Sequence, residues 1–191
     1  MPEPALILLY SRHTRNSVNA LVGAIETGEA FASVEVRLPR DAAALEADMA
    51  ETVGQGQTVV GISLFTFQFR QAGDLVRRIR RQCGSEALLM TGGPHPSADP
   101  LGVLQLGFDL VVCGEGEQTI RDLLAALRDG RDWRTIRGIA FLDALGPVVR
   151  SRPIGSGGER ETMCAGEENR ADDEDHRPQQ PRAGGVSLIV L

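Results

Sequence analysis

The stretch Ala-Leu-Leu-Met-Thr-Gly-Gly-Pro-His-Pro, residues 87–96, decides the fold because it joins a short apolar run to a glycine-rich loop. An uninterrupted apolar run bounded by turn residues predicts a strand buried on both faces, as in a parallel sheet. A second stretch, Leu-Val-Val-Cys-Gly-Glu-Gly-Glu at residues 110–117, repeats the arrangement. Ligands of open α/β sheets bind beyond the carboxyl ends of the strands. The two loops therefore predict one ligand-binding rim.

Outward from these loops, short apolar runs alternate with segments of helical period. Apolar side chains recur with helical spacing at residues 18–25, 75–83 and 120–127. This alternation predicts an α/β domain in which helices cover both faces of a parallel sheet. The five predicted strands are Ala5–Leu9, Ser33–Leu38, Thr58–Leu64, Glu86–Thr91 and Phe108–Cys113.

The chain divides into three predicted segments. Residues 1–132 form the α/β domain, and residues 133–152 form a β-hairpin extension with its turn around Gly146-Pro147. Residues 153–191 are rich in Gly, Glu, Arg, Asp, Gln and Pro, and too poor in apolar side chains to bury a core, so we expect disorder there. The abrupt change in composition indicates a truncated or frame-shifted gene product, with a genuine stand-alone carrier domain as the alternative.

Charge and cysteine content narrow the classes of function. The formal net charge of −6 disfavours a nucleic-acid surface, and the basic run at residues 77–81 predicts a solvated helix face. The three cysteines, Cys83, Cys113 and Cys164, lack the spacing of a zinc or iron–sulfur site. No signal peptide or long apolar segment occurs, so we expect a cytoplasmic protein without membrane contact.

Three elements in a fixed order carry a family resemblance. They are Gly-Ile-Ser-Leu-Phe-Thr at residues 61–66, Gly-Gly-Pro-His at residues 92–95, and Gly-Phe-Asp-Leu-Val-Val-Cys-Gly-Glu-Gly-Glu at residues 107–117. Over residues 4–152 the chain resembles the N-terminal cobalamin-binding domain of radical S-adenosylmethionine (radical SAM) enzymes. The resemblance implies a three-layer, Rossmann-like (flavodoxin-like) fold with a five-stranded parallel sheet in the order 2-1-3-4-5. It also implies that cobalamin, a corrinoid cofactor, is held at the carboxyl-terminal edge of that sheet.

The candidate cofactor site lies in the loops that follow four of the strands. Glycine leaves no side chain between the backbone and a ligand, although a tight turn also requires glycine. In the family that the chain resembles, hydroxyls such as those of Ser63 and Thr66 contact the nucleotide tail of cobalamin. The alternative role for these two hydroxyls is helix capping. The candidate cofactor-binding residues are Ser11, His13, Ser63, Leu64, Phe65, Thr66, Gly92, Gly93, Pro94, His95, Gly114, Glu115 and Gly116.

No residue of the chain is predicted to be catalytic. Glu115 and Glu117 begin a helix, where the helix dipole favours negative charge, so neither is assigned as a general acid or base. The catalytic domain of the resembling family holds a [4Fe–4S] cluster through Cys-x3-Cys-x2-Cys, and nothing after residue 152 matches it. We therefore expect no radical chemistry from this chain alone, and a radical SAM catalytic domain as its partner.

The loop after the first strand departs from a pattern common among cobalamin-binding domains. That pattern is Asp-x-His-x-x-Gly, whose histidine becomes the lower axial ligand of cobalt and whose aspartate orients it. Here residues 11–16 read Ser-Arg-His-Thr-Arg-Asn, which keeps His13 but lacks the aspartate and the glycine. We therefore expect His13 to be a surface histidine and not a cobalt ligand.

The residues of the same loops also distinguish among other functions that this fold class supports. A phosphate-accepting receiver domain needs an aspartate at the end of strand three, where Ser63-Leu64 stands, and is set aside. A flavodoxin-like domain binding flavin mononucleotide is favoured by Ser11, Thr14 and Ser17, but the loop lacks glycine and the chain is poor in aromatic residues. A cofactor-free interaction or dimerisation module remains a third alternative.

Overall fold

A single sheet of seven strands organises the described part of the chain. The computed structural model describes residues 4–144 and 146–150. The sheet order is β2-β1-β3-β4-β5-β6-β7, and the first five strands pair in parallel. The predicted fold class and the order 2-1-3-4-5 are confirmed. The strands are β1 Ala5–Leu8, β2 Val36–Arg37, β3 Thr58–Ser63, β4 Ala87–Gly92, β5 Leu110–Val112, β6 Ile139–Asp143 and β7 Gly146–Arg150.

Five of the six α-helices in the described residues cover the two faces of this sheet. On one face α1 and α6 bury side chains such as Val18 and Leu123 against the strands. On the other face α2, α3 and α5 bury Leu45, Val76 and Val103. In α2 and α3 the buried side chains recur at spacings of three and four residues, which places them on one side of each helix. The helices are α1 Arg15–Glu26, α2 Ala42–Thr52, α3 Phe69–Cys83, α4 Pro94–Ala98, α5 Pro100–Leu104 and α6 Gly116–Arg128.

Strand β2 is much shorter than the sequence predicts. A 3-10 turn at Glu29–Phe31 precedes it, and the Val34 N–H donates to the Phe31 carbonyl at 3.0 Å. Residues 33–34 therefore belong to the turn, and the regular pairing covers Val36–Arg37. Helix α2 follows and was missed in the sequence. Three successive alanines at its start weaken the apolar period that would indicate it.

The predicted hairpin is present and joins the main sheet. Strand β6 pairs antiparallel with β5, and β7 pairs antiparallel with β6. The turn predicted around Gly146-Pro147 lies slightly earlier, because Asp143 and Gly146 are the last register pair and the Gly146 N–H donates to Asp143 Oδ1 at 3.0 Å. Arg150 is the register partner of Ile139, which in turn pairs with Val112. The chain thus leaves β7 at the carboxyl-terminal edge of the parallel strands. Residues 153–191, with their predicted disorder, and Cys164 lie outside the described residues.

The basic run on α3 is more than the solvated face that the sequence predicts. Arg80 donates two hydrogen bonds to the Gly107 carbonyl, at 2.9 and 3.1 Å, and another to the Ala87 carbonyl at 3.0 Å. Its guanidinium also lies 2.6 Å from Asp109 Oδ2, which accepts the Leu89 N–H as well. Arg80 thus ties α3 to the chain around β4 and β5. This side, where the parallel strands start, is called the amino-terminal edge below.

Within the described residues, no helix is both long and apolar enough to cross a membrane.

Candidate functional site

The loops after β3 and β4 leave the sheet side by side and form the centre of the predicted rim. Ser63 and Gly92 are the last register pair of these strands, and the Leu64 N–H donates to the Gly92 carbonyl at 2.9 Å. Gly93 has a φ of +112°, and a Cβ there would lie 2.9 Å from the Leu64 carbonyl oxygen. Close contact between the two loops therefore requires glycine at this position, whatever the ligand. Leu64 itself is buried in the core, so it can offer a ligand only its backbone.

A hydroxyl and an imidazole meet across these two loops. Thr66 Oγ1 lies 3.4 Å from His95 Nδ1, and the His95 ring packs edge-on against Phe69 at 5.0 Å. The other ring nitrogen, Nε2 of His95, is buried and has no hydrogen-bond partner. Buried polar atoms in native proteins are nearly always paired, so an unpaired one calls for an explanation such as a missing ligand. This pair is the polar centre of the candidate site.

The loop after β5 adds open backbone beside that centre. Gly114 has a φ of +81°, and a Cβ built there would meet no atom within 4 Å. Its N–H points to Ser97 Oγ at 3.5 Å, which links this loop to α4. Glu115 precedes α6, but its side chain makes no capping hydrogen bond. Gly116 has a packing role, since a Cβ there would lie 2.9 Å from Leu21 Cδ2 on α1.

The loop after β1 is closed by its own hydroxyl groups. Ser11 Oγ and Thr14 Oγ1 lie 3.1 Å apart, and the Ser11 N–H donates to Thr14 Oγ1 at 2.9 Å. His13 is exposed, and its Nε2 accepts a hydrogen bond from Arg12 Nε at 3.1 Å. An arginine thus stands beside this imidazole, where a histidine that ligates metal ordinarily has a carboxylate or carbonyl partner.

Aromatic rings connect the β1 loop to the β3 loop. The ring of Phe67, a residue absent from the predicted site, lies 5.8 Å from the ring of Phe65 at an interplanar angle of 16°. The same ring contacts His13 at 5.6 Å in an edge-on arrangement. The structure thus brings Thr66 and His95 together, with Ser63 beside Gly93 on the same two loops, and joins His13 to them through Phe67. Pro94, the first residue of α4, lies exposed at the same rim.

A cavity of about 380 Å³ lies at the opposite, amino-terminal edge, where Thr58, Glu86 and Trp133 are among its lining residues. Ligands of this architecture bind at the carboxyl ends of the strands, so we place the functional site at the rim. Within residues 4–144 and 146–150, no three His, Cys, Asp or Glu side chains are grouped to hold a metal ion.

Comparisons with known proteins identify the family to which the chain belongs. A curated relative, an uncharacterized methyltransferase of Pyrococcus horikoshii, is 27% identical over 160 residues, which are 77% of this chain and 34% of that protein. The chain thus spans about a third of the length of the relative it matches.

Two solved structures share the fold. The cobalamin-dependent S-adenosylmethionine radical enzyme OxsB, with aqua-cobalamin and S-adenosylmethionine bound, superposes with a TM-score of 0.63 at 17% identity, covering 81% of this chain and 22% of that one. The radical S-adenosylmethionine methyltransferase TsrM of Kitasatospora setae, with cobalamin and a [4Fe-4S] cluster bound, gives 0.62 at 20% identity, covering 81% and 30%.

The family model described as the B12 binding domain matches residues 16–124, more than half of the chain. Its range includes β3, β4, β5 and the loops that follow them, which form the centre of the rim, and it begins just after the loop that holds His13. The chain belongs to the B12-binding domain family.

Proposed function

We propose that the rim formed by the loops after β3, β4 and β5 holds cobalamin through backbone and hydroxyl groups. The contacts proposed for the nucleotide tail are Ser63, Thr66 and His95, with the open backbone of Gly93 and Gly114 beside them. The observation that carries the proposal is the unpaired, buried Nε2 of His95, next to the hydroxyl of Thr66. A ligand that hydrogen-bonds this nitrogen would remove the cost of leaving it unpaired. Membership of the B12-binding family disfavours the flavin and cofactor-free alternatives.

The residues of the rim fit cobalamin if they contact the groups at the edge of the cofactor and not the cobalt ion. The rim offers hydroxyls and glycine backbone, which suit a ligand with amide side chains and a ribose-phosphate tail. Arg12 donates to His13 Nε2, and no carboxylate of the described residues is hydrogen-bonded to that ring. We propose that His13 gives cobalt no ligand. When bound, cobalamin supplies a redox-active cobalt ion, while the residues of the rim bind and orient the cofactor.

The partner of this domain is proposed to be a radical SAM catalytic domain. Both solved relatives are named as S-adenosylmethionine radical enzymes, and the chain covers less than a third of each. β7 returns the chain to the carboxyl-terminal edge, so whatever follows Arg150 starts from the same edge as the rim. Such a domain would bring the iron–sulfur cluster that radical chemistry requires.

The test is a spectroscopic titration of the whole chain with hydroxocobalamin, with and without a reductant. We expect a saturable change in the visible spectrum of the wild type. His95→Phe keeps a flat ring against Phe69 but removes both nitrogens, so it should weaken binding by about tenfold. The melting temperature should stay near the wild-type value, because removing the unpaired Nε2 offsets the loss of the 3.4 Å contact between Nδ1 and Thr66.

Trp133→Phe is the matched control, since it also replaces a nitrogen-containing ring with phenyl, but at the amino-terminal edge. It should bind cobalamin like the wild type. Absence of any spectral change with the wild type would overturn the proposed function. Equal affinity of the wild type and His95→Phe would remove His95 from the site.

A further inference from the structure

Phe67 is the most exposed large hydrophobic residue of the described chain. Its side chain is 67% exposed, whereas Leu38, Leu101 and Leu142 are 41–43% exposed. A single exposed apolar side chain is ordinary and needs no functional explanation. What separates Phe67 from the leucines is that two other rings hold it in place.

The three rings form a preordered surface. Phe65 stacks nearly parallel to Phe67 with ring centroids 5.8 Å apart, and His13 meets the same ring edge-on at 5.6 Å. The backbone that carries Phe65 is restrained, because its N–H donates to Gln68 Oε1 at 3.1 Å. A ring already fixed by its neighbours loses little conformational entropy when a ligand packs on it. We call His13, Phe65 and Phe67 the aromatic platform.

The platform lies at the point of the sheet where a crevice is expected. In the sheet, β2 lies next to β1 on the side away from β3, and β4 lies next to β3 on the side away from β1. The connections that leave β1 and β3 therefore run in opposite directions. Loops that diverge in this way open a crevice between β1 and β3, which is where α/β sheets bind ligands. His13 belongs to the loop after β1, and Phe67 belongs to the loop after β3. Their contact therefore spans the crevice.

The surroundings of the platform point to a ligand with a broad apolar face. Phe67 is next in sequence to Thr66, whose hydroxyl faces His95, so the platform and the polar centre are continuous. The platform itself offers carbon surface and one imidazole, and the charged group in contact with it is the Arg12 guanidinium on His13. Polar parts of a ligand are thus met around His95, and apolar parts are met at Phe67.

We infer that the aromatic platform packs against the corrin ring of cobalamin, so that Phe67 sets affinity for the ring while Thr66 and His95 act on the nucleotide tail. The inference rests on the proposed function and divides its site into two parts. The corrin ring presents methyl-bearing apolar surface over an area wide enough to cover a phenyl ring. Packing on Phe67 would remove its exposed area from water, which favours binding.

The experiment compares two corrinoids, hydroxocobalamin and dicyanocobinamide, which keeps the corrin ring but lacks the nucleotide. Dissociation constants are measured by spectral titration for the wild type, Phe67→Ala, Phe67→Leu and His95→Phe. Phe67→Ala should weaken both ligands by a similar factor of about ten, with Phe67→Leu in between. His95→Phe should weaken cobalamin and leave cobinamide unchanged. Leu142→Ala, which truncates an exposed apolar side chain on β6, should change neither constant.

Each result separates the two proposals. Equal affinity of the wild type and Phe67→Ala for both ligands would overturn the inference and leave the proposed function standing; Phe67 would then be free to face a protein partner. Loss of cobalamin binding alone in Phe67→Ala would also overturn it, because the ring would then contact the tail. Failure of the wild type to bind either ligand would overturn the proposed function together with the inference.

Discussion

The two edges of the sheet are built on opposite rules. At the amino-terminal edge Arg80 and Asp109 pair with one another and with three main-chain groups, two on β4 and one just before β5. At the carboxyl-terminal rim His95 Nε2 is buried without a partner, and Phe67 stands 67% exposed. One buried hydroxyl, Thr58 Oγ1, is also unpaired at the amino-terminal edge, where Thr58 lines a cavity with room for water.

The difference teaches where stability and function reside. Groups whose hydrogen bonds are complete within the protein stabilise the fold and offer little to a ligand. Groups left incomplete cost stability and are kept where a ligand completes them. The comparison predicts that substitutions at the amino-terminal edge lower stability and spare binding, while substitutions at the rim affect binding.

The largest effect is expected at Arg80. Replacing it with Met leaves the carboxylate of Asp109 without its charge partner and removes the donor to the carbonyls of Ala87 and Gly107. The free energy of unfolding should fall by about 3 kcal/mol. Urea denaturation at pH 7 measures this loss. The matched control is Arg81→Met on the exposed face of the same helix, which should cost less than about 0.5 kcal/mol.

The cobalamin affinity of the same two variants tests whether the amino-terminal edge affects binding at the rim. Below the unfolding transition Arg80→Met should bind with the wild-type dissociation constant, because Arg80 lies at the edge opposite the rim. A change in affinity larger than the change caused by Arg81→Met would show that the two edges are coupled, and would break the comparison.

A smaller effect on stability is expected from two glycines of the rim. Gly93→Ala would place a Cβ 2.9 Å from a backbone oxygen at a φ of +112°, and should cost about 2 kcal/mol. Gly114→Ala has a φ of +81° but open space around it, and should cost about 1 kcal/mol. Thermal unfolding of both variants measures the difference. Equal costs would mean that the β3 and β4 loops move apart easily. Glycine at position 93 would then be needed for ligand binding and not for packing between the loops.

The sequence predicts the sheet well because parallel strands carry their signal locally. Uninterrupted apolar runs marked β1, β3, β4 and β5 within one or two residues, and helical periods marked α1, α3 and α6. Strand β2 and helix α2 were the weak points. A turn replaces the first half of the predicted β2, and alanines weaken the apolar period of α2.

The candidate site is predictable only in part. Glycine loops after apolar runs predicted that the loops following β3, β4 and β5 lie at one edge, because the ends of parallel strands must meet there. Side-chain pairs across the sheet could not be foreseen from spacing. Thr66 meets His95, and Arg80 meets Asp109, each across 29 positions of chain. Phe67 was missed because nothing in its local pattern separates an exposed phenylalanine from a buried one.

The smallest expected effect concerns Cys83, at the end of α3 near the amino-terminal edge. The side chain is 7% exposed, and burial raises the pKa of its thiol above the ordinary value. A group whose pKa is raised by folding contributes stability below its unfolded pKa and loses it as the pH rises through the folded pKa. The part of the free energy of unfolding that depends on this thiol should therefore fall as the pH rises from 7.5 to 9.5. Cys83→Ala loses packing equally at both pH values, so urea denaturation should show a shallower fall in the variant than in the wild type. An equal fall in both proteins would mean that the thiol reaches water in the folded state, and that this edge is less closed than its hydrogen bonds indicate.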